Sequence, residues 1–445
     1  MFHRVLVANR GEIALRIIEA CRELSMEAIA VFSEADRDMP YLRLADQSIC
    51  IGPAAAGRSY ANEAAILSAA ELTGAQAIHP GYGFLSENPE FVELCEQQGL
   101  CFIGPSQHTM KLLGDKAAAR EAVAAVGVPV LPGGLLEEGG EPPDEMAERI
   151  GYPVLVKAVF GGGGRGMRWV DTPADLLAAI AAAKAEAKAA TGSGKLYMEK
   201  ALRDPRHVEV QILADQHGTI VHLGERECSV QRRHQKLIEE SPAPRLSDET
   251  RSALHEAALA ASAAVDYANA GTVEFVLGDD ERFHFIEMNA RIQVEHPVSE
   301  TVTGIQLIKE QLRVATGEPL GYDQDAVRIR GHAIECRINA EDPQRGFMPS
   351  SGTVTICELP GGPGVRVDSH LYSGLQMTPH YDSLLAKLVT HGRDREEARI
   401  RMYTALQRFR VDGVATTCGV AQRIISDAEF RDARITTSFL AKRLP

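Results

Sequence analysis

The chain has 445 residues, 45% of them hydrophobic and 24% charged, a composition that excludes a disordered or fibrous protein and calls for two or three packed cores. A formal charge of −14 argues against a general nucleic-acid binder, and one Trp among 5% aromatics argues against base-stacking platforms. No run of about 18 apolar residues is present, so no membrane span is expected. Arg10 and Glu12 interrupt the N-terminus before a signal-peptide apolar region forms. The eight cysteines contain no C-x-x-C pair and read as reduced core thiols of a cytoplasmic protein.

In chain order, RVLVAN (4–9) is strand-like, GEIALRIIEACREL (11–24) has helical apolar spacing, and AIAVFS (28–33) is again strand-like. That order is a βαβ unit and implies a parallel sheet. GAQAIHPGYGFLSENPEF (74–91) continues it, with a Gly-Tyr-Gly turn after a strand. AN-RGEIA lacks G-x-G-x-x-G spacing, which weakens a dinucleotide site. LPGGLLEEGGEPPDE (131–145) reads as a boundary. Then come a strand, YPVLVKAV, a loop, GGGGRGM, an Ala-rich surface helix (174–190) stopped by TGSG, and a strand, KLYMEKAL. These pieces form a small α+β lid inserted into a larger body. From HVEVQILAD to FIEMN the pattern is strand-rich, and a third unit begins near VRIRGHAIECRINAEDP, with a helix at REEARIRMYTALQRF.

TVEFVLGDDERFHFIEMN (272–289) reads as two strands around a four-residue loop, Asp279 to Arg282. If Gly278 opposes Phe283, Glu274 faces Glu287. Two like charges across a ladder are unfavourable unless a dication lies between them. Hard oxygens with Asn289 alongside suit Mg²⁺ or Mn²⁺ bound with phosphates. A polar, solvated sheet face is the ordinary alternative. Against it, Glu287, Asn289, Arg291, Gln293 and Glu295 share one parity, so an extended chain runs metal ligands straight into an anion clamp.

The GGGGRGM loop offers unobstructed backbone N–H groups, and Lys157 ends the strand before it; a phosphate lid and a flexible connector both fit. Lys116 sits near the start of an Ala-rich helix. QRRHQK (231–236) packs four basic groups into six positions, as a solvated loop or a pocket for a small oxyanion.

The motifs ANRGEIALRI, HPGYGFLSEN, LLGDK, GGGGRGMR, YMEK, PRHVEVQ, ECSVQRRHQK, EMNARIQVEHPVSE, GHAIECRINAEDP and YDSLLAKL span residues 1 to about 390, and with them the chain resembles the biotin carboxylases of the ATP-grasp superfamily. The resemblance implies an α/β and α+β fold. It comprises a βαβ N-terminal domain (1–114), an ATP-grasp domain (115–318) with a mobile glycine-rich lid (about 132–203), and a strand-rich C-terminal domain (319–445). It also implies ATP contacts at Lys116, Lys157, Gly163, Gly164, Glu199, Lys200, Leu202, His207, Gln231, His234, Glu274 and Glu287. Glu274, Glu287 and Asn289 match the metal ligands; Lys236, Arg291, Gln293 and Val294 match the bicarbonate surroundings; Glu295 matches the general base, and Arg337 the residue on the biotin ureido oxygen. Three departures stand out: Val159 and Phe160 before the glycines, Ala290 where threonine is common, and Gln344, Arg345 and Gly346 lengthening a loop. None removes a chemical group from the site.

The activity implied is ATP- and bicarbonate-dependent carboxylation of biotin through carboxyphosphate, the first half-reaction of acetyl-CoA or another acyl-CoA carboxylase in fatty acid synthesis. Another ATP-grasp carboxylate–amine ligase and a non-catalytic nucleotide-binding protein are the alternatives. No Met-Lys-Met biotin attachment site occurs in the sequence. The biotin carboxyl carrier protein and the carboxyltransferase subunits are therefore expected as separate polypeptides, with this chain a homodimer.

Overall fold

The computed structural model describes residues 2–137, 139–160 and 167–443. The first unit is a five-stranded parallel sheet. Arg4–Val7 lies between Glu27–Phe32 and Ala77–His79, with Gln47–Cys50 and Cys101–Phe102 at the edges. The connecting helix Gly11–Glu23 buries Ile13, Ala14, Ile17 and Ile18, the i, i+1, i+4, i+5 face read from its sequence. The turn after Ala77–His79 needs its glycines. Gly81 has φ +62, and a Cβ there would lie 2.8 Å from the Asn9 amide. That amide donates to the carbonyls of Pro80 (2.7 Å) and Tyr82 (2.8 Å).

The lid is a four-stranded antiparallel sheet in the order Gly133–Leu136, Leu196–Lys200, Val154–Ala158, Arg168–Val170. Two helices cover it, Pro143–Ile150 and the Ala-rich Pro173–Thr191. Among the described residues, Leu176, Ala183 and Ala187 are the buried positions of the Ala-rich helix, as a surface helix with one packed stripe requires. The glycine run 161–166, with Gly163 and Gly164, lies outside the described residues.

An eight-stranded sheet forms the body: Phe283–Asn289, Asn269–Leu277, Arg206–Ala214, Ile220–Arg232, Gln235–Ser241, His332–Asn339, Leu384–Gly392 and Val365–Ser369. It joins strands from both sides of residue 319. Two features of this region depart from the sequence reading. A 17-residue helix, Asp248–Ala264, interrupts the strand-rich stretch, capped by Ser247 and packed through Leu254, Ala258 and Ala261. The hairpin loop holds five residues: Leu277 pairs with Phe283, and Gly278 N–H closes on the Arg282 carbonyl at 3.0 Å. A bulge between the Phe275–Phe285 and Glu274–Glu287 pairs then restores the register, so Glu274 does face Glu287.

The eight thiols are unpaired; Cys21, Cys95, Cys228, Cys336 and Cys418 are buried, whereas Cys50 is exposed and Cys101 and Cys357 are half-buried. No helix among the described residues is long and apolar enough to cross a membrane. Val159 and Ala290 are buried, and Gly346, at φ +65, closes the short 3-10 turn Pro343–Arg345.

Candidate active site

Strand alternation builds the centre of the site. His207, Glu209 and Gln211 share a face of Arg206–Ala214, and Glu209 pairs in register with Glu274 on the next strand, which in turn faces Glu287. Three carboxylates in a row demand cations. Lys236 supplies one: its Nζ lies 2.5 Å from Glu209, 3.0 Å from Glu274 and 2.6 Å from Glu295. Lys116 Nζ lies 2.8 Å from Glu287. Asp115 fixes that lysine at the first position of the helix Lys116–Ala125, because its Oδ1 accepts from the Ala117 and Ala118 N–H groups. Burial lowers the Lys116 pKa, but Glu287, with Glu87 and Glu274, raises it by more. Burial also acts against the charge on Lys236, yet its three carboxylates hold the ammonium well above the lysine range.

Glu274 is pushed up by burial and pulled down further by Lys236 and His207, so its carboxyl lies below the usual range. His207 Nε2 sits 3.2 Å from Glu274 Oε2, and the Gln231 amide donates to His207 Nδ1 at 2.8 Å, which leaves the ring proton facing the acid. The Asn289 amide donates to Glu274 Oε1 at 3.0 Å. Facing carboxylates of Glu274 and Glu287 with the Asn289 carbonyl nearby are a hard-oxygen set that fits Mg²⁺ or Mn²⁺.

The chain does not stay extended past Asn289, contrary to the parity argument. The strand ends there, residues 290–295 turn, and the helix His296–Thr303 begins with Glu295 at its N-cap. Glu295 makes no cap hydrogen bond. Its Oε1 reaches Lys236 and its Oε2 lies 2.8 Å from Arg337. Burial pushes the Glu295 carboxyl up, but Lys236, Arg337 and Arg226 hold it well below the ordinary range. The cations that keep Glu295 ionised are therefore Lys236 and Arg337, which touch it, with Arg226 behind them, whereas Arg291 pairs with Glu87. Arg291 pairs with Glu87 at 2.9 Å and donates to Gln293 (2.8 Å) and Asn289 (3.3 Å). The Val294 carbonyl accepts from Lys387 Nζ at 3.2 Å, which ties the turn to the sheet below.

On the lid, Lys157 and Glu199 pair at 2.8 Å, and Arg120 reaches the same Glu199 at 3.0 Å. Burial, more than Glu199, governs Lys157 and lowers its pKa. Lys200 donates its side chain to the carbonyls of Gly151 and Tyr152 at 2.9 Å. The basic cluster divides. Gln231 and Lys236 point inward, Arg232 lies over Phe347 at 4.2 Å, and Arg233 and His234 form the hairpin tip with φ +48 and +65. His234 is lowered by desolvation and by neighbouring His207.

Sequence reasoning passed over Glu209, Arg226, Glu87 and Glu239. Fully buried Arg226 bridges Glu209 (2.6 Å), Gln211 (2.6 Å), Ser299 (2.9 Å) and Thr272 (3.1 Å), locking three strands and a helix beneath the site. The signal for Glu209 was available, since it alternates with His207 inside PRHVEVQ.

Three family models cover almost the whole chain: "Biotin carboxylase, N-terminal domain" over residues 1–110, "Carbamoyl-phosphate synthase L chain, ATP binding domain" over 115–322, and "Biotin carboxylase C-terminal domain" over 335–442. The biotin carboxylase of Allochromatium vinosum is 52% identical over 100% of this chain and 99% of its own length. The Campylobacter jejuni biotin carboxylase complex with βγ-ATP superposes with a TM-score of 0.97 at 47% identity, covering 100% of this chain and 99% of the other. The biotin carboxylase domain dimer of Hydrogenobacter thermophilus 2-oxoglutarate carboxylase, a complex with MgADP, ADP and bicarbonate, gives 0.95 at 45% identity over 99% and 98%. With matching domains in order and an intact acid–cation centre, this chain belongs to the biotin carboxylase family of ATP-dependent ligases.

Proposed function

We propose that this chain carboxylates biotin on a separate carrier protein, using ATP and bicarbonate. The observation that carries this reading is the single buried contact chain Glu274–Lys236–Glu295–Arg337, which joins the metal carboxylates to a base and an oxyanion donor. Lys116, Lys157, Glu199, His207, Gln231, His234, the Gly163 and Gly164 backbone and the segment Lys200 to Leu202 bind ATP. Glu274, Glu287 and Asn289 would hold a divalent metal, which would supply charge neutralisation during phosphoryl transfer.

Lys236, Arg291, Gln293 and the Val294 backbone hold bicarbonate beside Glu295. Glu295 takes the bicarbonate proton, and the oxyanion attacks the γ-phosphate to give carboxyphosphate. Closure of the lid excludes water from that labile product. Carboxyphosphate releases CO₂, and the remaining phosphate removes the biotin N1′ proton. Arg337 donates to the ureido oxygen as negative charge builds there. The reaction leaves ADP, phosphate and carboxybiotin. The chain divides at about residues 115 and 319 into N-terminal, ATP-grasp and C-terminal domains, works as a cytoplasmic homodimer, and passes carboxybiotin on its carrier to a carboxyltransferase that carboxylates an acyl-CoA such as acetyl-CoA.

The test is ADP release from the purified chain with MgATP, with and without bicarbonate and free biotin. ADP formation that needs bicarbonate and rises with biotin supports the reading. ADP formation indifferent to both rejects it.

A further inference from the structure

Beneath the helix His296–Thr303 the sheet carries two acids that no step above uses. Glu239 on Gln235–Ser241 and Glu335 on His332–Asn339 are direct cross-strand partners, and neither has exposed surface. Arg337 donates to Glu239 Oε1 through Nε at 2.6 Å, and its Nη2 lies 2.5 Å from the same oxygen. Among the described residues, Glu239 Oε2 and both oxygens of Glu335 have no hydrogen-bond partner.

The charged groups facing this pair are Arg337 from the same strand as Glu335, Lys387 from the next strand, Lys236 from the strand of Glu239, and Glu295 from the helix above. Lys387 is already engaged, 2.9 Å from Glu12. A buried carboxylate with no donor is strongly disfavoured, and two opposed acids relieve the strain by sharing one proton. Burial raises both acids, Glu239 to about 7 because Arg337 opposes the rise, and Glu335, repelled by Glu239, well above the carboxylate range.

We propose that Glu335 is a protonated acid donating to the free oxygen of Glu239, and that the pair is a positioning element that aims the Arg337 fork at the ureido oxygen. Arg337 has two anchors, Glu239 and Glu295. An incoming ureido oxygen or bicarbonate competes with the Glu295 contact, which leaves Glu239 to hold the guanidinium plane. One proton on the pair also matters electrostatically. A doubly ionised pair would cancel the positive field that Arg337 must present to the developing oxyanion. This inference rests on Arg337 serving the ureido oxygen.

Glu335→Gln keeps a donor of the same shape, whereas Glu335→Leu removes it. Both are compared for biotin carboxylation and for bicarbonate-dependent ATP cleavage without biotin. Expected is a biotin-carboxylation kcat in Glu335→Gln within about threefold of the unmodified chain, against a loss of tenfold or more in Glu335→Leu with biotin-free ATP cleavage retained. Equal losses in the two variants, or a parallel loss of both activities in Glu335→Leu, overturn the inference. Infrared difference spectra at neutral pH, unmodified chain minus Glu335→Gln, give a readout that does not depend on turnover. A protonated carboxyl band present in the difference supports the shared proton, and its absence overturns it. If Arg337→Ala leaves biotin carboxylation intact, the ureido assignment fails and takes the positioning role with it, whatever the band shows.

Discussion

Replacing Glu295 with Gln isolates the base from the rest of the site. The substitution keeps shape and removes one charge from a centre where Lys236 Nζ lies 2.6 Å away and Arg337 2.8 Å away. A positioned general base is worth about 10²–10⁴-fold in rate. Glu295 sits toward the lower end of that range, because the two cations hold its pKa well below the ordinary carboxylate value and weaken it as a proton acceptor. Any substrate that draws Lys236 or Arg337 toward itself raises that basicity when it is needed. The expected kcat loss in Glu295→Gln is therefore about 10²-fold, or about 2.7 kcal/mol in the barrier. ATP binding should change little, since the proposed nucleotide contacts Lys157 and Glu199 pair with each other on the lid. The assay is bicarbonate-dependent ADP release alongside nucleotide titration. The pH profile adds a second check. A depressed carboxylate stays ionised as pH falls through 4.5, so the acid limb of the rate should not fall there on account of Glu295. Unchanged kcat in Glu295→Gln, or a loss confined to ATP affinity, refutes the base assignment.

Three further outcomes can be checked. Arg337→Ala should lower biotin carboxylation by about 10²–10³-fold while sparing bicarbonate-dependent ATP cleavage, as removal of an oxyanion donor does, and equal losses would reject its specific role. Burial pushes both Glu225 and Glu240 up, but His255 and Arg251 hold Glu225, and Arg395 and His332 hold Glu240, at about 2, against 4.5 in the unfolded chain. Their stabilisation is complete above pH 4.5 and is lost as pH falls toward 2, about 3 kcal/mol apiece at the limit, so denaturant midpoints measured from pH 6 to pH 3 should fall, and Glu225→Gln should flatten the slope. Lys387→Met leaves Glu12 buried without its partner at 2.9 Å and unties the Val294 carbonyl. Denaturation should show a loss of about 3–5 kcal/mol at pH 7, relieved in the Glu12→Gln, Lys387→Met double variant.

Local rules carried the reading of the lid and the first unit. The Ala-rich helix, the βαβ order and the helix start near Lys116 depend on neighbours a few residues away, and the structure agrees with each. Glu274 facing Glu287 was also legible, although the turn was misjudged by one residue and a bulge recovered the register. The helix Asp248–Ala264 was overlooked because the strands around it dominated the pattern, despite Ser247 at its cap and acids in its first turn.

By itself the sequence determined which chemical groups this protein owns: facing acids, a lysine in the basic run QRRHQK, a guanidinium in each of two later motifs, and the family those motifs mark. Tertiary structure alone decided which cation meets which anion. Arg291 is four residues from Glu295 along the chain, yet it pairs with Glu87, while Lys236 and Arg337, 59 and 42 residues away, hold Glu295. The reason is that the strand ends at Asn289 and the chain turns into a helix, so alternation no longer sets where side chains point, and the order of strands in the sheet does.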